Sequence, residues 1–375
     1  MIDRALVSRV RQEVAAGIPP DELLRSYADP DRRRLLRERV RAVAGIRLDD
    51  RTADRVCADL FGFGPLQALL DDPSVTDILV NDPASVYVER GGLLERAEVR
   101  FRDDQELADL VYRIAASVGR ELTVERPFVD ARMRDGSRAN AVIAPVGGPT
   151  LSIRKFRTIS MPLAGPEGSW CATGGLPVPC AELLEGLVRR RANIIVSGAT
   201  GSGKSTFVRS LAAAIPLGER VIVIEDTNEL VLPHPHVVHL ECVPGAGGAS
   251  IGIADLVTNA LRMRPDRIIV GEVRSPREAS ALLEALSTGH EGTLTSLHAS
   301  SAIDAIARLE LLLARAGELG GDAMRRYVTR AVDVIVHLAR GADGRRTVRE
   351  IVTVGEAGPA VVWRAGQPAP LAERA

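Results

Sequence analysis

The sequence predicts an α/β fold with a mostly parallel sheet, and two patterns carry this prediction. Between residues 181 and 338, short apolar runs that suit buried strands alternate with helical stretches, which is typical of a parallel sheet covered by helices. Between residues 61 and 157 the β-rich runs are separated by one helical stretch, which indicates a smaller mixed α/β domain. Apolar residues make up 46% of the chain and aromatic residues 3%, so Leu, Val, Ile and Ala must build the core.

Changes in residue pattern divide the chain into four predicted segments. Residues 1–60 have helical periodicity and are expected to form an N-terminal helical bundle. Residues 61–157 form the smaller α/β domain, and the Pro- and Gly-rich stretch 158–180 is expected to be a linker. Residues 181–375 form the domain with the parallel sheet. Individual strands are predicted at 77–80, 85–89, 139–143, 150–153, 194–197, 221–224, 267–270, 348–354 and 360–363, and a helix at 105–118.

Composition and charge argue against several classes of protein. With 48 basic and 49 acidic residues the net charge is −1, so no basic field attracts a polyanion and we expect no nucleic-acid partner. The 4 cysteines form no CxxC pair, which argues against a zinc site or a disulfide framework. No apolar run approaches the roughly 18 residues of a membrane span, so we expect a cytoplasmic chain without direct membrane insertion.

The strongest motif is the glycine-rich segment GATGSGKST, which follows an apolar strand and precedes a helical stretch. Its glycines allow backbone N–H groups to surround phosphates at the start of a helix. Lys204 would reach the β- and γ-phosphates, and the Ser205 hydroxyl would ligate Mg²⁺. A glycine-rich turn that matches the motif by chance is the alternative. The motif predicts that Mg-ATP is bound by Gly198, Ala199, Thr200, Gly201, Ser202, Gly203, Lys204, Ser205 and Thr206.

Acidic residues follow the next predicted strand. Glu225 and Asp226 come directly after the apolar run 221–224. Side chains at the carboxyl end of a parallel strand project into the crevice where open α/β sheets bind ligands. Glu225 is therefore a candidate catalytic carboxylate, and Asp226 is a candidate Mg²⁺ ligand. A helix cap or a solvent-exposed polar turn is the alternative explanation for both residues.

A second carboxylate follows the strand at 267–270. Glu272 lies in the segment GEVR, two residues after this strand. A carboxylate at this position can orient, or accept a proton from, the water that attacks the γ-phosphate. Glu272 is therefore the candidate catalytic base and a further candidate Mg²⁺ ligand. An ordinary ion pair between Glu272 and Arg274 is the alternative.

Two histidines belong to the polar segment STGHEGTLTSLH. His290 and His298 would contact the γ-phosphate through hydrogen bonds and so detect whether it is present. Ligation of a metal is disfavoured, because no third ligand lies at zinc spacing. The alternative is that each histidine is a hydrogen-bonded core or surface residue without a role in the chemistry.

Taken in order, these four segments resemble the motifs of the secretion-superfamily ATPases, the RecA-like motors of type II secretion, type IV pili and type IV secretion. GATGSGKST is similar to the Walker A motif of that family, VIVIEDTNEL to its Asp box, RIIVGEVR to its Walker B motif and STGHEGTLTSLH to its His box. Upstream, GFGPLQALLDDPSVTDILVNDPASVYVERGG, RPFVDARMRDGSRANAVIAP and LSIRKF resemble the N-terminal domain of the Tad/CpaF branch. The resemblance extends from about residue 60 to residue 355.

The resemblance implies an ATPase that converts ATP and water to ADP and phosphate, as a ring hexamer with a PAS-like N-terminal domain. ATP would lie between the two domains, and Arg138 and Arg154 would reach its phosphates from the N-terminal domain. Arg264, Arg267 or Arg274 would act on the ATP of a neighbouring subunit. The chain would work at the inner face of the cytoplasmic membrane and power Tad/Flp-type pilus assembly, with polytopic platform proteins as partners.

Three other functions stay open at the level of sequence. The chain could be a type IV secretion ATPase for DNA or protein export, or a regulatory module that binds ATP and scarcely hydrolyses it. A RecA-like helicase is the third. The regulatory alternative is motivated by residues 240–246, where LECVPGA lacks the arginine and asparagine usual in the Tad/CpaF branch. The His box also departs from the family, since Ser287 stands where asparagine is usual.

Overall fold

The computed structural model describes residues 13–14, 24, 27, 29–44, 50–133, 135–156, 161–243, 250–317 and 320–368. The chain divides into two compact units, Met1–Arg157 and Thr158–Ala375. The four segment boundaries expected from the sequence remain predictions. Helices and strands are numbered here in chain order among the described residues.

The first unit begins with two described helices, α1 (Pro30–Ala44) and α2 (Asp50–Phe61). Their buried apolar side chains pack together in a small core that includes Val40, Val56 and Phe61. The rest of the predicted N-terminal bundle lies outside the described residues. A short 3₁₀ turn (Gly64–Leu66) and α3 (Gln67–Asp71) lead into the sheet.

A six-stranded antiparallel sheet forms the body of the first unit, in the order β3-β2-β1-β6-β5-β4. Alternate residues of its strands pack against α4 (Asp104–Ser117), which buries Leu107, Leu110 and Ile114. The opposite face of the sheet carries mainly polar side chains, together with the exposed Phe128. The strands are β1 (Val75–Asp82), β2 (Ser85–Arg90), β3 (Leu93–Arg96), β4 (Phe128–Arg132), β5 (Arg138–Val142) and β6 (Thr150–Arg154).

The predicted α/β architecture of this unit is confirmed, and the two strands that the sequence missed are both edge strands. Every residue of β3 is exposed, so this edge strand has no apolar pattern that hydrophobic periodicity could detect. β4 buries alternate positions, as the predicted strands β5 and β6 do, and its omission has no such explanation.

The second unit contains an eight-stranded sheet in the order β14-β13-β12-β7-β11-β10-β8-β9. The six strands from β12 to β9 in this order are parallel, and β13 and β14 close the sheet in antiparallel fashion. The mostly parallel sheet predicted from the sequence is thereby confirmed. The strands are β7 (Ile194–Gly198), β8 (Val221–Glu225), β9 (Val237–Glu241), β10 (Arg267–Val270), β11 (Leu294–Leu297), β12 (Val334–Arg340), β13 (Arg346–Thr353) and β14 (Ala360–Arg364).

Helices cover both faces of this sheet. Val196 and Val223 point into one core, while the neighbouring Ile195 and Ile224 point into the other. This explains why the central strands are continuously apolar, since both of their faces are buried. The helices are α5 (Val178–Arg189), α6 (Lys204–Ala212), α7 (Ile253–Ala260), α8 (Pro276–Ser287), α9 (Ala302–Ala316) and α10 (Gly321–Ala331).

The segment at residues 161–177, named here the Trp170 segment, lies within the stretch expected to be a linker but packs into the core of the second unit. The indole of Trp170 is buried, meets Phe207 of α6 edge to face, and donates a hydrogen bond from Nε1 to Ser210 Oγ at 3.0 Å. Leu163 and Leu176 are buried in the same core. Proline and glycine here shape a packed turn, which their frequency alone does not distinguish from a free linker.

Among the described residues, none of the helices combines the length and the apolar composition needed to cross a lipid bilayer. The longest helices described in the second unit, α9 among them, are amphipathic and pack one face on the sheet.

Replacement of Trp170 should destabilise the second unit. We expect Trp170→Ala to lower its free energy of unfolding by about 3–5 kcal/mol, because the substitution opens a cavity beneath α6 and removes the bond to Ser210. Urea denaturation followed by circular dichroism measures the change. The control Val361→Ala, at a residue that is 45% exposed, should change this free energy by less than about 0.5 kcal/mol. A loss below about 1 kcal/mol for Trp170→Ala would contradict the assignment of this residue to the core.

Candidate functional site

Four neighbouring parallel strands end at one edge of the second sheet, and each is followed by a polar residue predicted for the site. Lys204 follows β7, Glu225 ends β8, Glu272 follows β10 and His298 follows β11. These strands are adjacent in the order β7-β11-β10-β8. Because they are parallel, their carboxyl ends meet at the same edge, which is where open α/β sheets bind ligands.

The glycine-rich loop between β7 and α6 has a backbone that only glycine accommodates at two positions. A methyl group at Gly198 would lie 2.5 Å from Leu338 O and from Ser202 Oγ. Gly203 has φ +95°, in the left-handed region, and precedes the first residue of α6. The loop is therefore held close to the sheet, and the amino end of α6 faces the site.

Lys204 is the buried positive charge of the site. Its ammonium group donates to Gly198 O at 3.2 Å, to Ala199 O at 3.1 Å and to His298 Nδ1 at 3.2 Å. Burial lowers the pKa of the Lys204 ammonium, Glu272 opposes this effect and Arg274 adds to it. The lysine thus brings a weakly solvated charge to the mouth of the loop, where phosphate oxygens are favourable partners.

A continuous chain of polar contacts leads away from the lysine. His298 Nε2 lies 2.9 Å from Glu272 Oε1, and Arg274 Nη2 donates to Glu272 Oε2 at 2.9 Å. The other arm of the Arg274 fork donates to Asp226 Oδ2 at 2.8 Å. The ion pair with Arg274 that the sequence offered as an alternative for Glu272 is therefore present, and it coexists with the contact between Glu272 and His298.

The protonation state of His298 follows from its neighbours. Burial lowers the pKa of His298 below its ordinary value of 6.5, Lys204 and Arg274 act in the same direction, and Glu272 opposes them, so the neutral ring is favoured near pH 7. Since an ammonium group can only donate, Nδ1 accepts from Lys204 and the ring proton lies on Nε2. That nitrogen faces Glu272.

Glu225 lies at the same edge of the sheet but has different partners. Its carboxylate accepts the backbone N–H groups of Glu229 and Leu230 at 3.1–3.2 Å. Burial raises the pKa of the Glu225 carboxyl to about 7, while those backbone donors and Arg209 act in the opposite direction. Glu225 thus holds the Asp-box loop against the sheet, and Gly271 permits this close approach because a methyl group there would lie 2.9 Å from Glu225 Cγ.

His290 lies away from these residues. It precedes β11, so it lies at the amino edge of the sheet, whereas the glycine-rich loop follows the carboxyl end of β7. Its Nδ1 lies 3.3 Å from Thr288 Oγ1. The four residues of β11 separate the two edges by more than roughly 10 Å. This placement offers no support for contact between His290 and a phosphate in the loop of the same chain.

Arg138 and Arg154 lie in the first unit, directly opposite one another on β5 and β6. Arg154 Nε donates to Asp77 Oδ1 at 3.1 Å, on the face of the sheet that turns away from α4. Their approach to ATP stays a prediction. Ser205 is exposed at the start of α6, and its contact with Mg²⁺ likewise stays a prediction.

The structure distinguishes the three arginines that the sequence offers as candidates to act on the ATP of a neighbouring subunit. The side chain of Arg267 is fully buried, donates from Nε to Glu219 and donates from Nη1 to Gly292 O. This burial removes Arg267 from that role. Arg274 is engaged by Asp226 and Glu272 of its own chain, whereas Arg264 is exposed and has a left-handed backbone with φ +53°.

Two further departures noted in the sequence have local explanations. Ser287 donates to Glu284 O, and its hydroxyl lies 2.7 Å from Tyr327 OH, so it closes the end of α8. Cys242 N donates to Glu225 O and so extends the pairing of β9 with β8. Residues 244–246 lie outside the described residues.

Sequence reasoning missed three side chains beside the loop. Arg346 Nε donates to Gly201 O at 3.1 Å, and Trp170 lies beneath Gly203. His337, on β12, has Nδ1 3.0 Å from Ser197 Oγ in a buried pair. None of the three belongs to a motif. His337 and Arg346 lie 140 and 145 residues after the loop residues that they contact, and Trp170 belongs to the segment before the loop. Only the fold brings them together.

The residues at this edge fit a magnesium-bound nucleoside triphosphate. The loop offers a helix amino end and a buried ammonium group, which are the donors that a triphosphate requires. Glu272 Oε1 is buried and lies close to His298 without the alignment of a hydrogen bond, so it keeps acceptor capacity for a water or a metal. Ser205, Asp226 and Glu272 would hold Mg²⁺. Among the described residues, no three His, Cys, Asp or Glu side chains form a ready metal cluster by themselves.

Comparison with known proteins agrees with this geometry. Residues 59–347 match the family described as type II/IV secretion system protein. The chain belongs to this family. The Tad/CpaF branch expected from the sequence is a finer assignment, and it remains a proposal.

Similar proteins include several from conjugation and type IV secretion. A Mycobacterium tuberculosis protein named for conjugal transfer is 38% identical over 326 residues, covering 82% of this chain and 90% of that protein. The type IV secretion system protein VirB11 of Bartonella quintana is 32% identical over 323 residues, covering 76% and 90%. The crystal structure of the pilus retraction motor PilT with bound ADP has a TM-score of 0.52 at 25% identity, covering 76% of this chain and 80% of that one.

The raised pKa of Glu225 predicts a pH-dependent stability. Its folded pKa of about 7 lies above the ordinary value of 4.5, so the folded state favours the protonated carboxyl. The resulting stability is present below pH 4.5 and is lost as the pH rises to 7, by roughly 3 kcal/mol at most. We therefore expect Glu225→Gln to gain stability relative to the wild type between pH 5 and pH 8, measured by urea denaturation.

The control Glu291→Gln removes an exposed carboxylate outside this edge of the sheet. Its stability difference from the wild type should change little over the same range. An equal pH dependence in Glu225→Gln and wild type would contradict burial of a titrating carboxyl at this position.

Proposed function

We propose that this chain is an ATP-hydrolysing motor of the type IV secretion and conjugal transfer kind. The observation that carries the proposal is the contact chain from Lys204 through His298, Glu272 and Arg274 to Asp226, which starts at the glycine-rich loop. The similarity to a conjugal transfer protein and to VirB11 over most of their lengths supports the choice of system.

In this proposal the chain's own residues divide the work. Loop N–H groups and the Lys204 ammonium bind the phosphates and oppose their charge. Glu272 orients the attacking water and accepts its proton through Oε1, while Arg274 holds the carboxylate in place through Oε2. Mg²⁺ bound with the nucleotide would neutralise further phosphate charge. Arg274 engages Asp226 Oδ2 and Glu272 Oε2, so direct ligation of the metal by these carboxylates would use their other oxygens.

The proposed motor is a homohexamer in which Arg138 and Arg154 approach the phosphates from the first unit. Their opposed positions on β5 and β6 would bring two guanidinium groups to one ligand. We propose a location at the inner face of the cytoplasmic membrane, with polytopic membrane proteins of the secretion system as partners.

A second candidate is a motor for assembly of Tad/Flp-type pili. The resemblance of residues 62–92 and 126–145 to the N-terminal domain of the Tad/CpaF branch favours it. Both candidates share the same chemistry and differ in the membrane partner. The regulatory module that scarcely hydrolyses ATP is less supported, because the altered segment 240–246 keeps its pairing with β8 as far as Cys242, whose N–H donates to Glu225 O.

Substitutions at the loop should test the hydrolysis directly. We expect Mg²⁺-dependent ATPase activity in the wild type, and Lys204→Ala or Glu272→Gln should each lower kcat by about a hundredfold or more. The control His290→Gln should keep its activity within threefold, because His290 lies at the opposite edge of the sheet. Equal turnover in the wild type and in both loop variants would exclude the proposed chemistry.

The membrane partner separates the two candidate systems. Crosslinking in cells, followed by identification of the captured integral membrane protein, should yield a component of a type IV secretion or conjugation channel. Capture of a pilus platform protein instead would favour the Tad/Flp candidate. Failure to capture a membrane protein, with normal ATPase activity in vitro, would count against both motors.

A further inference from the structure

The outer side of the glycine-rich loop is contacted by the closing hairpin of the second sheet. Arg346, the first residue of β13, donates from Nε to Gly201 O at 3.1 Å. Its aliphatic stem runs past Gly203, where a methyl group would lie 2.9 Å from Arg346 Cδ and 3.4 Å from Trp170 Cη2. The side of the loop that faces away from the phosphate site therefore contacts one arginine and one tryptophan, which together form a seat for the loop.

This seat is fixed on both sides by backbone contacts. Val348 N, two residues further along β13, donates to Gly175 O at 2.9 Å, and Arg345 Nη2 donates to Thr173 O. On the other strand of the hairpin, Leu338 is paired with Gly198, the first residue of the loop. These contacts fix the positions of the hairpin, the Trp170 segment and the loop relative to one another. The backbone of Arg346 is therefore held beside the loop, which limits the movement of its side chain.

The carbonyl of Gly201 is the atom through which this seat acts. Gly201 has φ +76°, in the region that favours glycine, and a methyl group there would lie 3.4 Å from Arg340 Nη1. The N–H of the same peptide, which belongs to Ser202, donates to Ala199 O at 3.3 Å, so this peptide closes a turn within the loop. A guanidinium group that binds the carbonyl of this peptide from outside stabilises the turn before any ligand arrives, which is the general advantage of preorganisation.

We propose that Arg346 is a positioning residue for nucleotide binding, which holds the glycine-rich loop in its phosphate-binding conformation through the Gly201 carbonyl. The inference rests on the proposed ATPase function for its consequence in binding, and on the geometry alone for its effect on the loop. Arg346 acts on the loop from outside and is distinct from the residues that face the phosphates.

Kinetics of Arg346 variants test the consequence for binding. Arg346→Ala should raise KM for ATP roughly fivefold, the effect of one hydrogen bond to a charged group that is partly exposed, and leave kcat within twofold. Arg346→Lys, which keeps a cationic donor, should lie between the alanine variant and the wild type. Arg349→Ala removes an exposed arginine from the same strand and should match the wild type.

A purely structural role would instead lower the active fraction, so kcat would fall while KM stayed constant. That outcome, or an unchanged KM in Arg346→Ala, would overturn the inference. Thermal unfolding of each variant identifies those that fail to fold, and Arg346→Lys then provides the comparison.

Hydrogen exchange without nucleotide tests the loop itself. The backbone amides of residues 199–206 should exchange several-fold faster in Arg346→Ala than in the wild type or in Arg349→Ala. Equal exchange in all three proteins would overturn the inference, whether or not the wild type hydrolyses ATP. A wild type that protects the loop but neither binds nor hydrolyses ATP would contradict only the proposed function.

Discussion

The ammonium group of Lys204 is a buried positive charge, and much of the site is arranged to stabilise it. Two loop carbonyls and the unprotonated nitrogen of His298 accept its hydrogen bonds, and the charge of Glu272 opposes the cost of burial. A charge with so little access to water attracts phosphate oxygens strongly. The glycines, the strand ends and the neutral histidine each help to keep this charge at the mouth of the loop.

The same constraint explains how the acidic residues are arranged. Three carboxylates near one lysine would repel one another if all were charged and unpaired. Arg274 binds Asp226 and Glu272 together, while Glu225 is turned towards the amides of Glu229 and Leu230. Burial raises the pKa of Glu225 to about 7, and Glu272 is the carboxylate whose charge opposes the effect of burial on Lys204. The site therefore separates a paired carboxylate beside the lysine from a buried one that holds the Asp-box loop.

Much of the fold was predictable because its signals are local. A continuously apolar strand that is buried on both faces, such as β7 or β8, is recognisable in sequence, and so is a glycine-rich turn into a helix. The edge strand β3 was missed because none of its residues is buried, so it carries no apolar pattern. The Trp170 segment was taken for a linker because its many prolines and glycines hide the few large side chains that anchor it in the core.

The sequence by itself determined the chemistry of the loop, the candidate carboxylates and histidines, and the α/β class, because each depends on residues close together along the chain. Only the tertiary structure decided that His298 joins Lys204 and Glu272 while His290 lies at the opposite edge, that Arg267 is buried, and that Arg346 supports the loop. These relations depend on which strands are neighbours and on which edge of the sheet each loop emerges. That order arises from packing across the whole unit, and no short pattern of residues encodes it.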